Sequence, residues 1–360
     1  MKLPRITILA TLLLTAPAAA QLQITPPVAT PSAVPEKQNP KPPPAAKKKE
    51  AAPAPKPSAS PKPAASPKPA LPATVIPAPA TDNPNVDLVF GAYQRGQYKT
   101  AFDLATARAQ AGDPKAMTML GELYSNAMGI RRDYAKALEW YKRASDAGDR
   151  EAMFALAMLR ISGRGGSVDK GEAVKLMASA AKLGEPKAAY NLALLYLDGQ
   201  TLPQDVKRSA ELLRQAADAG LPEAQYALAT FYKEGTGVPK DPERAVRLLQ
   251  AASLADNVDA EVEYAIAMFN GTGTVKNQPA AVALLRKASR QGSAIAQNRL
   301  AWVLINGMGT SVDKVEGFKW HLVAKTSGKG DPELDKQLSD LPAEDRGKAE
   351  AAARKWLGTK

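Results

Sequence analysis

Gly112–Ala147 reads GDPKAMTMLGELYSNAMGIRRDYAKALEWYKRASDA, and variants of this segment fill most of the remaining chain. An alanine returns every 36 residues, at Ala116, Ala152, Ala188, Ala224, Ala260 and Ala296. A large apolar residue follows four positions later, at Leu120, Leu156, Leu192, Leu228, Tyr264 and Leu300. A tandem period of this length predicts a solenoid, because one such unit buries its apolar face only against its neighbours. The four-residue spacing of the two recurrent positions is helical, so the predicted fold class is all-α.

Each unit is predicted to form two helices joined by a loop, as the fourth copy illustrates. Gly220 follows one helix, where a left-handed backbone favours glycine. Pro222 opens the next helix, whose first N–H would have no partner in any case. Ala224 and Leu228 lie on one apolar stripe, and Asp241 is the predicted N-cap of the second helix. The recurrent aspartates of the loops are therefore interpreted as caps.

The unit resembles the Sel1-like repeat, a relative of the tetratricopeptide repeat. Three motifs carry the resemblance: Ala188-Leu192-Tyr196, Gly235-Gly237-Asp241 and Ala245-Leu248-Ala252. The resemblance covers residues 112–327 as six repeats and implies a right-handed α/α superhelical solenoid that binds proteins or peptides. Thr201 and Asp256 depart from the pattern by replacing a loop glycine and a boundary glycine, and looser helix packing is expected at Asp256.

The array is predicted to be closed at both ends. Residues 84–111 keep the phase of the repeats but have a shorter turn, which predicts a divergent first helix pair running from Asn85 to Gln94 and from Tyr98 to Ala111. Residues 328–360 leave the pattern and predict two capping helices, Pro332–Leu338 and Ala343–Leu357. Atypical terminal units are typical of repeat arrays.

The first 20 residues are predicted to be a secretory signal peptide. Lys2 and Arg5 precede an apolar run, and the Ala18–Ala20 triplet fits a cleavage site before Gln21. Retention of this segment as an anchor is the alternative. Residues 21–83, rich in Pro, Ala and Lys, predict a disordered, polyproline-rich linker because they offer too little apolar surface to form a core. These features predict a periplasmic protein.

Composition narrows the function further. The formal net charge is +12, of which 21–83 contribute eight Lys against three acidic residues. The repeats are only mildly basic, so no nucleic-acid partner is predicted. The linker is either a plain spacer or a weak ligand for anionic cell-wall or lipid polymers. The second reading gives an alternative function, a cell-wall- or polysaccharide-associated structural protein held by its basic linker.

No catalytic, cofactor-binding or metal-binding residues are predicted. The chain has no Cys and one His, which removes thiolate chemistry and multi-His metal sites. His321 falls at a packing position of a second helix and is interpreted as structural. The glycine-rich loops lack the G-K-[ST] continuation of a phosphate-binding loop and join two helices. A non-enzymatic protein is predicted.

Recognition is the remaining chemistry. The resemblance implies that the first helices line the concave surface of the array. By phase, the predicted partner-binding residues are Phe154, Met158, Lys187, Tyr190, Leu194, Tyr226 and Trp302. Thr230 and Val262 fall in the same phase. The alternative is that these side chains only pack between adjacent repeats. The sequence thus predicts a periplasmic scaffold, with a role in envelope regulation or assembly, whose partner is a protein or peptide segment.

Overall fold

The computed structural model describes residues 87–358, and all regular secondary structure in that range is helical. This confirms the all-α prediction. The predicted signal peptide, 1–20, and the predicted linker, 21–83, lie outside the described residues. The sixteen helices are α1 Leu88–Gln94, α2 Tyr98–Gln110, α3 Pro114–Asn126, α4 Tyr134–Asp146, α5 Arg150–Ser162, α6 Lys170–Lys182, α7 Pro186–Asp198, α8 Val206–Asp218, α9 Pro222–Glu234, α10 Pro242–Leu254, α11 Val258–Asn270, α12 Gln278–Arg290, α13 Ala294–Asn306, α14 Lys314–Thr326, α15 Pro332–Ser339 and α16 Ala343–Gly358.

Helices α3 to α14 are equal in length and form six consecutive pairs, and each pair packs on the next. The recurrent alanines are buried where the helices meet. Ala152, Ala188, Ala224 and Ala260 are all fully inaccessible, which lets neighbouring helix backbones approach closely. A chain of nearest-neighbour contacts is the defining property of a solenoid. The structure therefore confirms the repeat solenoid predicted from the 36-residue period.

Helix ends follow the predicted capping chemistry. Asp241 accepts a hydrogen bond from the backbone N–H of Arg244 at 2.8 Å, and Pro242 occupies the first turn. Boundary glycines such as Gly220, with φ of 85°, adopt the left-handed conformation. Asp256 adopts it as well, with φ of 57°. Ala252 and Ala260 on either side of Asp256 remain fully buried, so the looser packing expected there is not seen.

The second loop glycine, present in all repeats except the third, forms a contact between repeats. A Cβ atom on Gly237 would lie 2.6 Å from the carbonyl oxygen of Val206, at the start of the previous repeat's second helix. Gly273 sits in the same way against Pro242, and Gly165 against Tyr134. No side chain fits at these positions because backbone is the neighbour. These loops therefore pack directly against the backbone of the preceding repeat.

The two ends of the described unit are closed by helices that lie outside the six repeats. Helix α1 begins at Leu88 rather than at the predicted Asn85, because the Asp87 side chain accepts hydrogen bonds from two N–H groups of the first turn. Helix α16 packs on α14, as predicted for a cap. There the Trp320 and Trp356 rings meet edge to face, with centroids 5.0 Å apart. Ala349 is fully buried on the same face.

One ion pair lies inside the array. The side chain of Glu261, on α11, is fully buried, and its Oε1 atom lies 2.5 Å from the Nζ atom of Lys287, on α12. Lys287 also contacts Asp256, with an Nζ–Oδ1 distance of 2.8 Å. These contacts raise the pKa of the Lys287 ammonium, chiefly through the hydrogen bond to Asp256 and then that to Glu261. Lys287 thus contacts both carboxylates and offsets part of their charge.

Glutamine replaces Glu261 at the equivalent positions of two neighbouring repeats. The Nε2 atom of Gln225 donates to the carbonyl oxygen of Ala217 at 3.3 Å. The Nε2 atom of Gln297 donates to the carbonyl oxygen of Ser289 at 3.1 Å. A glutamate cannot donate such a bond when ionised. The fifth repeat therefore uses an ion pair where its neighbours use an amide hydrogen bond.

Candidate interaction face

The predicted partner-binding residues lie on first helices of consecutive repeats. Phe154 and Met158 are on α5, Tyr190 and Leu194 are on α7, and Tyr226 is on α9. Each pair is four residues apart, so both members lie on one side of their helix. These five residues are called the first-helix strip below.

Every residue of the first-helix strip is partly exposed. Phe154, Met158, Tyr190 and Tyr226 also pack against the largest buried core of the array. The same side chains therefore support the core and keep accessible surface, and their binding of a partner stays a prediction. Lys187, one turn before Tyr190, is exposed. The strip thus combines apolar surface with a neighbouring cation.

Carboxylates lie close to the two tyrosines of the strip. Burial raises the pKa of the Tyr190 hydroxyl, and the charge of Glu223 raises it further. Burial is also the main cause that raises the pKa of Tyr226, followed by the charges of Glu263 and two other carboxylates. Both phenols therefore stay protonated at neutral pH and can donate hydrogen bonds. The tyrosine end of the strip is bordered by negative charge.

The strip does not continue to the last repeat. Val262 and Thr230, which share its phase, are buried, so they pack between helices rather than line a surface. Trp302 lies beyond this interruption on α13, and its indole Nε1 donates to the Asp331 carboxylate at 2.9 Å. Asp331 caps α15 and lies outside the repeat array. Trp302 is thus tied to the C-terminal cap rather than grouped with the other predicted residues.

The polar residues considered for chemistry have structural partners. His321 is fully buried, and its Nε2 atom lies 2.8 Å from Asp335 Oδ1. The loop aspartates cap helices, as Asp133 does by accepting from the N–H of Lys136 at 3.0 Å. Residues 87–358 hold no group of three or more His, Cys, Asp and Glu side chains arranged for a metal ion. In the same range, no helix combines the length and apolar character needed to cross a membrane.

Sequence reasoning missed a second cluster, in the loops of the first two repeats. Arg131 and Arg132 line a cleft there with Tyr134, and Arg164 from the next loop lies over the same tyrosine ring. The signal available in the sequence was the Arg131-Arg132 pair, which occurs in one of six equivalent loops. The pair is easily overlooked because it does not recur in the other repeats.

Comparisons with known proteins agree with the fold and the repeat. The sequence profile of the Sel1 repeat matches residues 114–149, 150–185, 186–221, 222–257, 258–293 and 294–328, which confirms the resemblance. No significant match was found among curated proteins.

Two solved structures are similar over most of the array. A protective antigen present in uropathogenic Escherichia coli strains, displaying an SLR fold, is 26% identical with a TM-score of 0.63 over 71% of this chain. The match spans 55% of that protein's length. A Sel1 repeat protein from Oxalobacter formigenes is 24% identical with a TM-score of 0.57, over 66% of this chain and 94% of that one.

Proposed function

Because the chain belongs to the Sel1 repeat family, whose members are generally protein-interaction scaffolds, we propose that it binds an extended segment of a partner protein through the first-helix strip. The observation that carries the proposal is the set of partly exposed Phe, Met, Tyr and Leu side chains at matching positions of α5, α7 and α9. Sets of this kind supply apolar anchors for a bound segment.

The chemistry of the strip suggests which side chains its partner presents. Tyrosines are favourable anchors because they bury a large ring and keep a hydroxyl for hydrogen bonding. The carboxylates near Tyr190 and Tyr226 favour a partner segment that carries basic residues beside its apolar ones. Lys187 then interacts with an acidic or carbonyl group farther along the same segment.

Site-specific cross-linking tests the proposed face. A photoreactive amino acid placed at the exposed position of Lys187 should cross-link a discrete partner in the native cell envelope. The matched control is the exposed Lys207 on α8, a second helix, where no such cross-link is expected. The Tyr190→Ala/Tyr226→Ala double variant should lose the adduct, since truncating a central aromatic anchor costs about 2 kcal/mol or more of binding. Equal cross-linking from positions 187 and 207 would reject the strip as the binding face.

We further propose that the protein acts in the periplasm, on the basis of residues 1–20. Lys2, Arg5, the apolar run and Ala18–Ala20 have the order of a secretory signal. Fractionation should recover the protein in the periplasm, and mass spectrometry of its N-terminus should find Gln21. Recovery in the cytosol with residues 1–20 intact would contradict export. Recovery in the inner membrane with these residues intact would favour the anchor.

The alternative function remains association with the cell wall through residues 21–83. The eight Lys of this segment, several beside Pro, are the observation that favours it. Deletion of residues 26–80 should then abolish sedimentation with purified sacculi. Unchanged sedimentation would remove this alternative and leave the segment as a spacer. The Tyr190→Ala/Tyr226→Ala variant is the matched control, because it should sediment normally under the cell-wall hypothesis.

A further inference from the structure

A cleft of about 620 Å³ opens at the loop of the first repeat, away from the first-helix strip. Its wall consists of the last turn of α3, the loop that follows it and the first turn of α4. The lining residues are Tyr124, Ile130, Arg131, Arg132, Asp133, Tyr134 and Lys136. With Arg164 these residues are called the loop cleft below. The cleft thus contains more cationic than anionic side chains.

Several of these cations form cation–π contacts with tyrosine rings. The guanidinium carbon of Arg132 lies 5.7 Å from the centroid of the Tyr134 ring, and that of Arg164 lies 5.6 Å from it. The ammonium of Lys136 lies 5.4 Å from the centroid of the Tyr124 ring. Cation–π contacts orient a charged group without using its hydrogen-bond donors. These contacts therefore leave the guanidinium N–H donors available to a ligand.

The arginines of the cleft have no acidic partners within the described part of the chain. Arg131, Arg132 and Arg164 form no ion pair with any carboxylate of residues 87–358, whereas the nearby Arg160 pairs with Glu172 at 3.0 Å. Asp133 is the acid inside the cleft, and it is engaged as the N-cap of α4. Asp133 also lies 4.0 Å from the Nζ atom of Lys136 and offsets that charge. The three arginines therefore make up the excess of positive charge in the cleft.

The fold of the loop does not require these arginines. The five equivalent loops also end in a side-chain N-cap of the second helix, with other residues at these two places, namely Ser167 and Val168, Pro203 and Gln204, Pro239 and Lys240, Val275 and Lys276, and Ser311 and Val312. A residue pair that the repeat can replace freely has no structural role common to the repeats. A ligand-binding role explains its presence in one loop.

We propose that the loop cleft binds an acidic segment of a protein, one that places two or more carboxylates side by side. Planar guanidinium groups match carboxylates with paired hydrogen bonds. The cleft is recessed and includes Ile130 and two tyrosine rings, which complement the apolar side chains between the acids of a peptide. A membrane surface would instead call for exposed apolar side chains that enter the lipid interface beside the cations. The site is separate from the first-helix strip and does not depend on it.

Peptide titration tests the assignment. The probe is a fluorescein-labelled synthetic peptide of alternating Glu and Ala, compared by anisotropy with the same peptide carrying Gln for Glu. The Glu peptide should bind about tenfold more tightly, and salt should weaken this preference. The Arg131→Glu/Arg132→Glu variant should lose about tenfold or more, because like charges then face each other. The matched control, Lys240→Glu/Lys276→Glu, reverses two exposed charges on other loops and should bind within about twofold of the unaltered protein.

Several outcomes would overturn the proposal. Equal affinity for the Glu and Gln peptides would do so, as would equal losses in the two charge-reversal variants. Sedimentation with phosphatidylglycerol vesicles that depends on Arg131 and Arg132, without preference for the Glu peptide, would assign the cleft to lipid. If the charge-reversed variant melts early, Arg131→Gln/Arg132→Gln replaces it. The Tyr190→Ala/Tyr226→Ala variant should bind the Glu peptide normally, which keeps this test independent of the first-helix strip.

Discussion

Substitution of Lys287 by Met should be strongly destabilising, although half of the lysine side chain is exposed. The variant keeps the aliphatic stem but leaves the fully buried Glu261 carboxylate without its cation. Removing one member of a buried ion pair costs about 3–5 kcal/mol. The exposed side of Lys287 faces water, so the lower end, about 3 kcal/mol, is expected.

A second substitution should remove most of that cost. Glu261→Gln places at this site the residue that the fourth and sixth repeats already use, where Gln225 and Gln297 donate to backbone carbonyls. This variant alone should be stable to within about 1 kcal/mol. In its background, Lys287→Met should cost less than about 1 kcal/mol, because no buried charge is stranded. The coupling between the two sites should therefore be about 2 kcal/mol.

Urea denaturation followed by circular dichroism measures the global effect. Hydrogen exchange of the α11 and α12 amides measures the local one, which matters because repeat arrays can unfold in parts. The matched control is Lys233→Met, which breaks a more exposed ion pair. In that pair the Nζ atom of Lys233 lies 3.1 Å from the Oε2 atom of Glu263, which is on α11 like Glu261. This substitution should cost less than about 1 kcal/mol. Similar losses for Lys287→Met in the presence and absence of Glu261 would refute the reasoning.

Four further substitutions test the backbone and the C-terminal cap. Ala127→Gly should stabilise the protein by about 0.5–1 kcal/mol in urea denaturation, because Ala127 holds a left-handed φ of 57° that glycine adopts without strain; a loss would contradict this. Gly237→Ala should cost about 2 kcal/mol or more, whereas Gly220→Ala, where a Cβ meets no atom within 4 Å, should cost about 1 kcal/mol. Lys325 and His321 lower the pKa of Asp335, so this carboxylate stabilises the cap above its ordinary pKa of about 3.9 and loses that effect as pH falls through the lower, folded value. In a pH titration followed by tryptophan fluorescence, Asp335→Asn should reduce the change seen at acid pH. An unaltered acid transition would contradict the assignment.

Features fixed by local backbone chemistry were predictable from the sequence. Gly220 and Asp241 recur because a left-handed turn and an N-cap each require few residue types. Ala224 recurs because little else fits between close helices. Such requirements act within a few residues, so a single chain reveals them by repetition. The repeat, the helix pairs and their caps follow from this logic.

Features that depend on contacts between repeats were not predictable in the same way. Helical phase placed Val262 and Thr230 on the strip, but it does not say how far the adjacent repeat covers them. Trp302 was grouped with the strip because its partner, Asp331, lies outside the repeat pattern. Glu261 and Lys287 are on different helices, and no local rule joins them. In each case the deciding contact is long-range.

The seating of each loop glycine on the preceding repeat has a consequence for how such arrays change in length. At Gly165, Gly237 and Gly273, the preceding repeat presents a carbonyl at the start of its second helix and the glycine packs against it, whereas the third repeat has Thr201 at this position. When a whole repeat is duplicated or deleted, the loop glycine still meets the carbonyl of the repeat before it. An insertion of another length between this carbonyl and the glycine shifts the glycine out of register, and a residue with a side chain then faces the backbone. A backbone contact thereby selects for growth by whole modules and leaves the loop surface free to diversify.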